Sequence, residues 1–112
     1  MGYNANFSNT TAQKMKEYIT EHYNENISLY KLSKVFYLSP SYLGAIFQKE
    51  YKTTFQHYLQ AYRMNYAKKL ILTTNDKISF ISNTVGYKDM KTFREVFKKH
   101  FGILPSELRD NT

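Results

Sequence analysis

Leu29, Leu32, Ser33, Phe36 and Leu38 return 49 residues later as Ile78, Ile81, Ser82, Val85 and Tyr87. Leu43, Ile46, Phe47, Lys49 and Tyr51 return 50 residues later as Phe93, Val96, Phe97, Lys99 and Phe101, so one residue has been added at the second turn. Apolar residues at i, i+3, i+4 and i+7 mark one face of a helix. Each unit therefore reads as a short helix, a tight turn and a longer helix, the arrangement of a helix-turn-helix, whose second helix enters the major groove of duplex DNA. One such unit would not separate this reading from any small helical bundle. Two units in fixed register weigh strongly against the plain bundle.

The rest of the chain agrees with an all-α fold of seven helices. Four Gly and two Pro among 112 residues are too few for an all-β domain with a turn every 8–12 residues. Thr10 and Gln13 form a capping-box pattern, followed by Met15, Tyr18, Ile19, His22 and Tyr23 at helical spacing, which predicts a first helix from Thr11 to Asn24. Ser28 caps a short helix carrying Leu29, Leu32, Val35 and Phe36, which stops before Ser39-Pro40 because a residue preceding proline avoids the α region. Pro40 opens a third helix burying Leu43, Ile46, Phe47 and Tyr51. A long fourth helix follows Thr54, with Phe55, Leu59, Tyr62, Tyr66, Ala67 and Leu70 on its inner face, and ends at Asn75-Asp76. Ile78, Ile81 and Val85 form a fifth, Gly86 turns the chain, and Asp89 caps a sixth burying Phe93, Val96, Phe97 and Phe101. Gly102 stops it, and Pro105 opens a last short helix through Leu108. Most of Tyr18, Tyr23, Tyr62 and Tyr66 read as core.

A chain of this length holds one compact domain, or two very small ones sharing a core. Its 42% apolar and 17% aromatic content is enough to build that core and argues against disorder. The absence of cysteine removes disulfides, thiolate metal sites and cysteine nucleophiles, and is compatible with a reducing cytoplasm. No apolar stretch approaches the ~20 residues of a membrane span, and no secretory signal is present. His22, His57 and His100 lack paired-ligand spacing, and there is no GxSxG elbow or phosphate-cradling glycine loop. The expectation is therefore neither an enzyme nor a metal or cofactor binder, with His22 and His100 as packing or phosphate-contact residues.

Positive charge is concentrated where DNA contact would need it. Residues 1–56 carry six basic and four acidic side chains, whereas residues 57–112 carry ten and five. On a helix that buries Phe93, Val96, Phe97 and Phe101, positions 91, 94, 95 and 98 face the other way. Lys91 and Arg94 can donate to guanine O6 and N7, Glu95 can accept from cytosine N4, and Met90 is a further candidate for base contact. Lys88, Lys98, Lys99 and His100 are the candidates for phosphates, with Lys49 in the first unit. The first unit's outward residues are different in kind: Ser41, Tyr42 and Gln48 can hydrogen-bond, while Gly44 and Ala45 permit close approach and contact with a thymine methyl. Gly44 can equally be a helix-weakening substitution without function.

Residues 78–87 (Ile78-Ser79-Phe80-Ile81-Ser82-Asn83-Thr84-Val85-Gly86-Tyr87), followed by Phe93-Arg94-Glu95-Val96-Phe97-Lys98-Lys99 and Phe101-Gly102-Ile103-Leu104-Pro105-Ser106-Glu107-Leu108-Arg109, closely resemble the signature of AraC/XylS-type transcriptional regulators. The resemblance extends upstream through Leu38-Ser39-Pro40-Ser41-Tyr42-Leu43, Phe47-Gln48-Lys49-Glu50, Phe55, Tyr58-Leu59, Arg63, Ala67 and Leu70. It implies two helix-turn-helix subdomains, at about 10–53 and 76–109, joined by a linker helix at about 54–73, after a flexible segment or cloning remnant over 1–9. It also implies sequence-specific binding of double-stranded promoter DNA in the bacterial cytoplasm, one recognition helix in each of two consecutive major-groove segments, by a monomeric domain, with RNA polymerase as a further partner. Family members commonly carry a sensing, receiver or dimerisation domain, so this is expected to be an isolated C-terminal domain or a short stand-alone regulator. Lys52 stands where many relatives have glycine, so the helix before it must either accept a left-handed residue, at about 1 kcal/mol, or end differently. The alternative from another class is a basic helical module that binds RNA, anionic membrane or a partner protein without sequence preference, using the face of the helix around Arg63 to Lys69.

Overall fold

The structure, a computed structural model, describes the backbone of residues 2–112 and the side chains of residues 9–112. The described residues form seven helices and no strand: α1 (Gly2–His22), α2 (Leu29–Phe36), α3 (Pro40–Tyr51), α4 (Phe55–Thr73), α5 (Ile78–Thr84), α6 (Met90–Phe101) and α7 (Pro105–Asp110). They divide into two compact units, Met1–Leu59 and Gln60–Thr112, with the boundary inside α4.

The first helix begins earlier than its capping pattern predicts. Thr10 lies within α1 rather than ahead of it, because residues 3–9 contain no Gly or Pro to stop the helix. A Ser/Thr…Gln spacing marks a start only where the preceding chain leaves the helix. Of the segment 1–9 expected to be flexible, the backbone is helical from Gly2, while the side chains of residues 1–8 lie outside the described residues.

Caps fix most of the other boundaries. Ser28 Oγ accepts from Lys31 N–H at 3.2 Å, Ser39 Oγ from Tyr42 N–H at 3.1 Å and Thr54 Oγ1 from His57 N–H at 3.1 Å. At α7 the reach is reversed, with Glu107 Oε1 accepting from the Leu104 N–H at 3.0 Å. Each contact satisfies a backbone donor that the first helical turn leaves unpaired.

The first unit buries Ala12, Met15 and Ile19 of α1 with Leu32, Leu43, Phe47 and Phe55. The second buries Met64, Ala67 and Ile71 of α4 with Ile81, Val85, Phe93, Phe97 and Pro105. These lists extend the sequence repeat: the α1 and α4 triplets match at an offset of 52, and Phe55 matches Pro105 at 50. Thus α4 serves the second unit as α1 serves the first, and α7 is the counterpart of the start of α4. The buried stripe of α4 runs through Met64 and Ile71, not through Tyr62, Tyr66 and Leu70, which are half-buried. Tyr18 and Tyr23 are also half-buried. A tyrosine ring packs along a core's margin while its hydroxyl stays near water, so ring size alone misplaced the stripe. Val35 is exposed rather than buried.

The repeat also explains two strained residues. Tyr37 (φ 57°) and Lys52 (φ 60°) are left-handed, and their repeat partners are Gly86 (φ 104°) and Gly102 (φ 76°). Lys52 therefore accepts the strained conformation, and its N–H bonds to the Gln48 carbonyl at 2.9 Å. The second unit uses glycine where the first uses side chains that oppose the same turn. Replacing Tyr37 or Lys52 by glycine should each raise stability by about 0.5–1 kcal/mol, measured by urea denaturation; a lowered midpoint would contradict this.

In the second unit the C-terminal end of α4 is closed by a cation. The Arg109 guanidinium donates to the carbonyls of Ile71 (3.2 Å), Thr74 (3.1 Å) and Asp76. It thereby satisfies acceptors the helix leaves open and places positive charge at the negative end of the helix dipole. Arg109→Met is expected to cost about 2 kcal/mol, the range for hydrogen bonds from a charged donor, in the same denaturation assay. An unchanged midpoint would mean that solvent replaces the clamp without loss.

Candidate nucleic-acid interface

Burial decides which face each longer helix can offer. In α3, Leu43, Ile46 and Phe47 point into the first core, leaving Ser41, Ala45 and Gln48 exposed and Gly44 half-buried. These four line a shallow concavity of about 310 Å³. Thr54 and Gln56 also line it; sequence reasoning missed them because a cap and the residue after a buried Phe55 carry no periodic signal. Tyr42 and Lys49 are exposed on α3 but lie outside this concavity. Gly44 has a packing explanation too: a Cβ there would stand 3.1 Å from Leu29 Cδ1, so its missing side chain lets α2 approach α3.

The second unit has a more highly charged counterpart. Phe93 and Phe97 are fully buried with tilted rings 5.7 Å apart, and Phe97 packs on Phe101 at 4.8 Å. On the opposite face Lys91, Arg94, Glu95, Lys98 and Lys99 line a concavity of about 460 Å³, with Leu104 at its edge. Five of the sequence-selected residues thus share one surface. Leu104 was missed because an apolar residue between Gly102 and Pro105 reads as loop. Lys88 is exposed outside this concavity, and Met90 is half-buried. His100 is half-buried with its ring edge-on to Phe101 at 4.6 Å. His22 stacks on Tyr18 at 4.2 Å and sits 2.8 Å from Glu25 Oε2.

The start of α6 is held by Asp89, whose carboxylate accepts from the Thr92 hydroxyl at 2.7 Å and from the N–H groups of Lys91 (3.2 Å) and Thr92 (3.3 Å). The Thr92 hydroxyl, then the Lys91 N–H, hold its carboxyl below the ordinary value of 3.8. The cap fixes where Lys91 and Arg94 lie on the first turns of the helix.

A family model described as a helix-turn-helix domain matches residues 32–111, which takes in the first repeat from within its short helix, all of the second repeat, and the signature around Gly86 and Pro105. The chain belongs to the AraC-type helix-turn-helix family of transcriptional regulators. The raffinose operon transcriptional regulatory protein RafR of Pediococcus pentosaceus is 36% identical over 92 residues, covering 82% of this chain and 33% of that protein. Among solved structures, the C-terminal domain of AraT, a response regulator from Geobacillus stearothermophilus, aligns with a TM-score of 0.88 at 29% identity, covering 91% of this chain and 85% of that one. The C-terminal domain of the two-component response regulator yesN from Fusobacterium nucleatum aligns at 0.83 and 37% identity, covering 87% and 95%. The chain spans about a third of the length of the curated relatives it matches.

Membership in this AraC-type family favours the DNA-binding reading over the nonspecific basic module, and the family is one of regulators rather than enzymes. No described helix is long and apolar enough to cross a membrane.

Because Asp89's folded-state value is depressed, its capping contribution is complete above the ordinary carboxylate value and is lost as pH falls through the depressed one. Asp89→Asn, which keeps a capping oxygen without a titrating group, should therefore lose less stability than the parent chain between pH 5 and 2. Thermal melts across that range check this, and parallel pH profiles would contradict it.

Proposed function

We propose that this chain binds a single asymmetric duplex site as a monomer, with α3 and α6 in consecutive major-groove segments. The observation that carries this reading is the pair of outward faces at equivalent repeat positions, each backed by a fully buried phenylalanine. A chain with two reading helices can do alone what most helix-turn-helix proteins do as dimers, whose half-sites lie about one helical turn, ~34 Å, apart.

The two faces divide the work. Lys91, Arg94 and Glu95 supply base-edge chemistry from α6, while Lys98 and Lys99, in the last turn, meet phosphates. On α3, Ser41, Gly44, Ala45 and Gln48 form a smaller, nearly neutral surface suited to thymine methyls and to one or two hydrogen bonds. Lys49, Lys88 and His100 remain candidates for backbone contact, and Tyr42 and Met90 for contact at the groove edges. Such a role belongs in the bacterial cytoplasm, at a promoter, with RNA polymerase as a further partner.

Selection of sites from random duplexes, followed by titration, tests this division. Arg94→Ala should cost about 1–3 kcal/mol at the selected site and relax one base position. Lys98→Ala should weaken selected and random duplexes alike and make the salt dependence shallower. Equal loss on both duplexes for Arg94→Ala would assign Arg94 to a phosphate instead, and failure to enrich any sequence would overturn the reading.

A further inference from the structure

Arg63 lies on α4 and is not among the residues that line the charged concavity of α6. It stands over the Tyr87 ring, with Cζ 5.6 Å from the centroid. A Cβ on Gly86 would come within 3.2 Å of its Nε, Cζ and Nη2 atoms. The glycine therefore serves two needs at once, a left-handed turn at φ 104° and room for a planar cation against the backbone.

Tyr87 carries this contact onward. Its N–H bonds to the Ser82 carbonyl of α5 at 3.0 Å, and its ring packs on the buried Phe93 of α6 at 5.7 Å. Phe93 directly precedes Arg94. A continuous series of contacts thus runs from α4 through the turn to the helix that carries the proposed base readers.

The repeat supplies an internal control. At the offsets that align the two cores, Arg63 corresponds to Thr11, Gly86 to Tyr37 and Tyr87 to Leu38. All three members change together: the cation becomes a short hydroxyl, the glycine a 90% exposed tyrosine and the ring an aliphatic side chain. Arg63, Gly86 and Tyr87 behave as one set, present in one unit and absent as a set from the other.

We infer that Arg63 is a positioning residue for DNA reading, which holds the α5–α6 turn through Gly86 and Tyr87 and so fixes the orientation of α6 without itself touching DNA. This rests on the proposed duplex binding. Arg63→Met keeps the length of the side chain but removes its charge and donors. On a duplex selected by the parent chain, this variant should lose protection at the segment read by α6, identified as the segment weakened by Arg94→Ala, while the other segment stays protected. Affinity should fall about tenfold on the selected duplex, as expected for losing a partly desolvated cation–ring contact, with little change on random duplex and an unchanged salt slope, since no phosphate contact is removed. Tyr87→Leu, which puts the first unit's aliphatic residue in place of the ring beneath Arg63, should shift the same segment in the same direction and guards against a misfolded Arg63 variant. A parent chain that protects no segment would overturn the DNA-binding reading and this inference with it. A parent footprint that both variants leave unchanged, or weaken equally at both segments or in salt slope, would overturn the positioning role alone.

Discussion

A helix can present a polar face to a groove only if its opposite face cannot rotate, and burial of phenylalanine imposes that condition in both units. Phe47 of α3 and Phe93 and Phe97 of α6 are fully buried. Truncating such a side chain costs about 3–5 kcal/mol, a large share of the 5–15 kcal/mol that holds a whole domain together. The outward faces of these helices follow from that anchoring. Once positions 93 and 97 face inward, positions 91, 94, 95 and 98 must face outward, and the caps Ser39 and Asp89 set where along each helix the outward residues begin.

The same scaffold is finished differently in its two copies. The first unit tolerates left-handed Tyr37 and Lys52 and offers a nearly neutral face of small residues. The second spends glycine at both turns, closes α4 with Arg109, lays Arg63 over Tyr87 and gathers four cations on one surface. Charge and backbone relief thus accumulate in the same copy. That is the distribution expected if one reading helix supplies most of the base discrimination and the other supplies register and shape contact.

Much of this was legible in the sequence because it rests on local chemistry. Proline at position 40, glycine at 86 and 102 and aspartate at 89 each have a backbone consequence that needs no tertiary context, and the 49- and 50-residue offsets tie the two units together in the sequence itself. What escaped depends on surroundings. The capping pattern at Thr10 could not reveal that the helix continues through it, and the aromatic bulk of Tyr62 and Tyr66 concealed the true stripe through Met64 and Ile71. Thr54, Gln56 and Leu104 join the candidate surfaces only because the fold brings the start of α4 beside α3 and that of α7 beside α6. Likewise, the reason for Gly86 was half visible: the turn could be read, but not the guanidinium lying against it.

The central claim is that one chain carries two reading heads. Hydroxyl-radical footprinting of a selected duplex, combined with the mass of the complex in solution, tests it most directly. The account predicts one chain per duplex and two protected segments in consecutive major grooves, unlike in sequence. A single protected segment, or two chains on a minimal site, would contradict it.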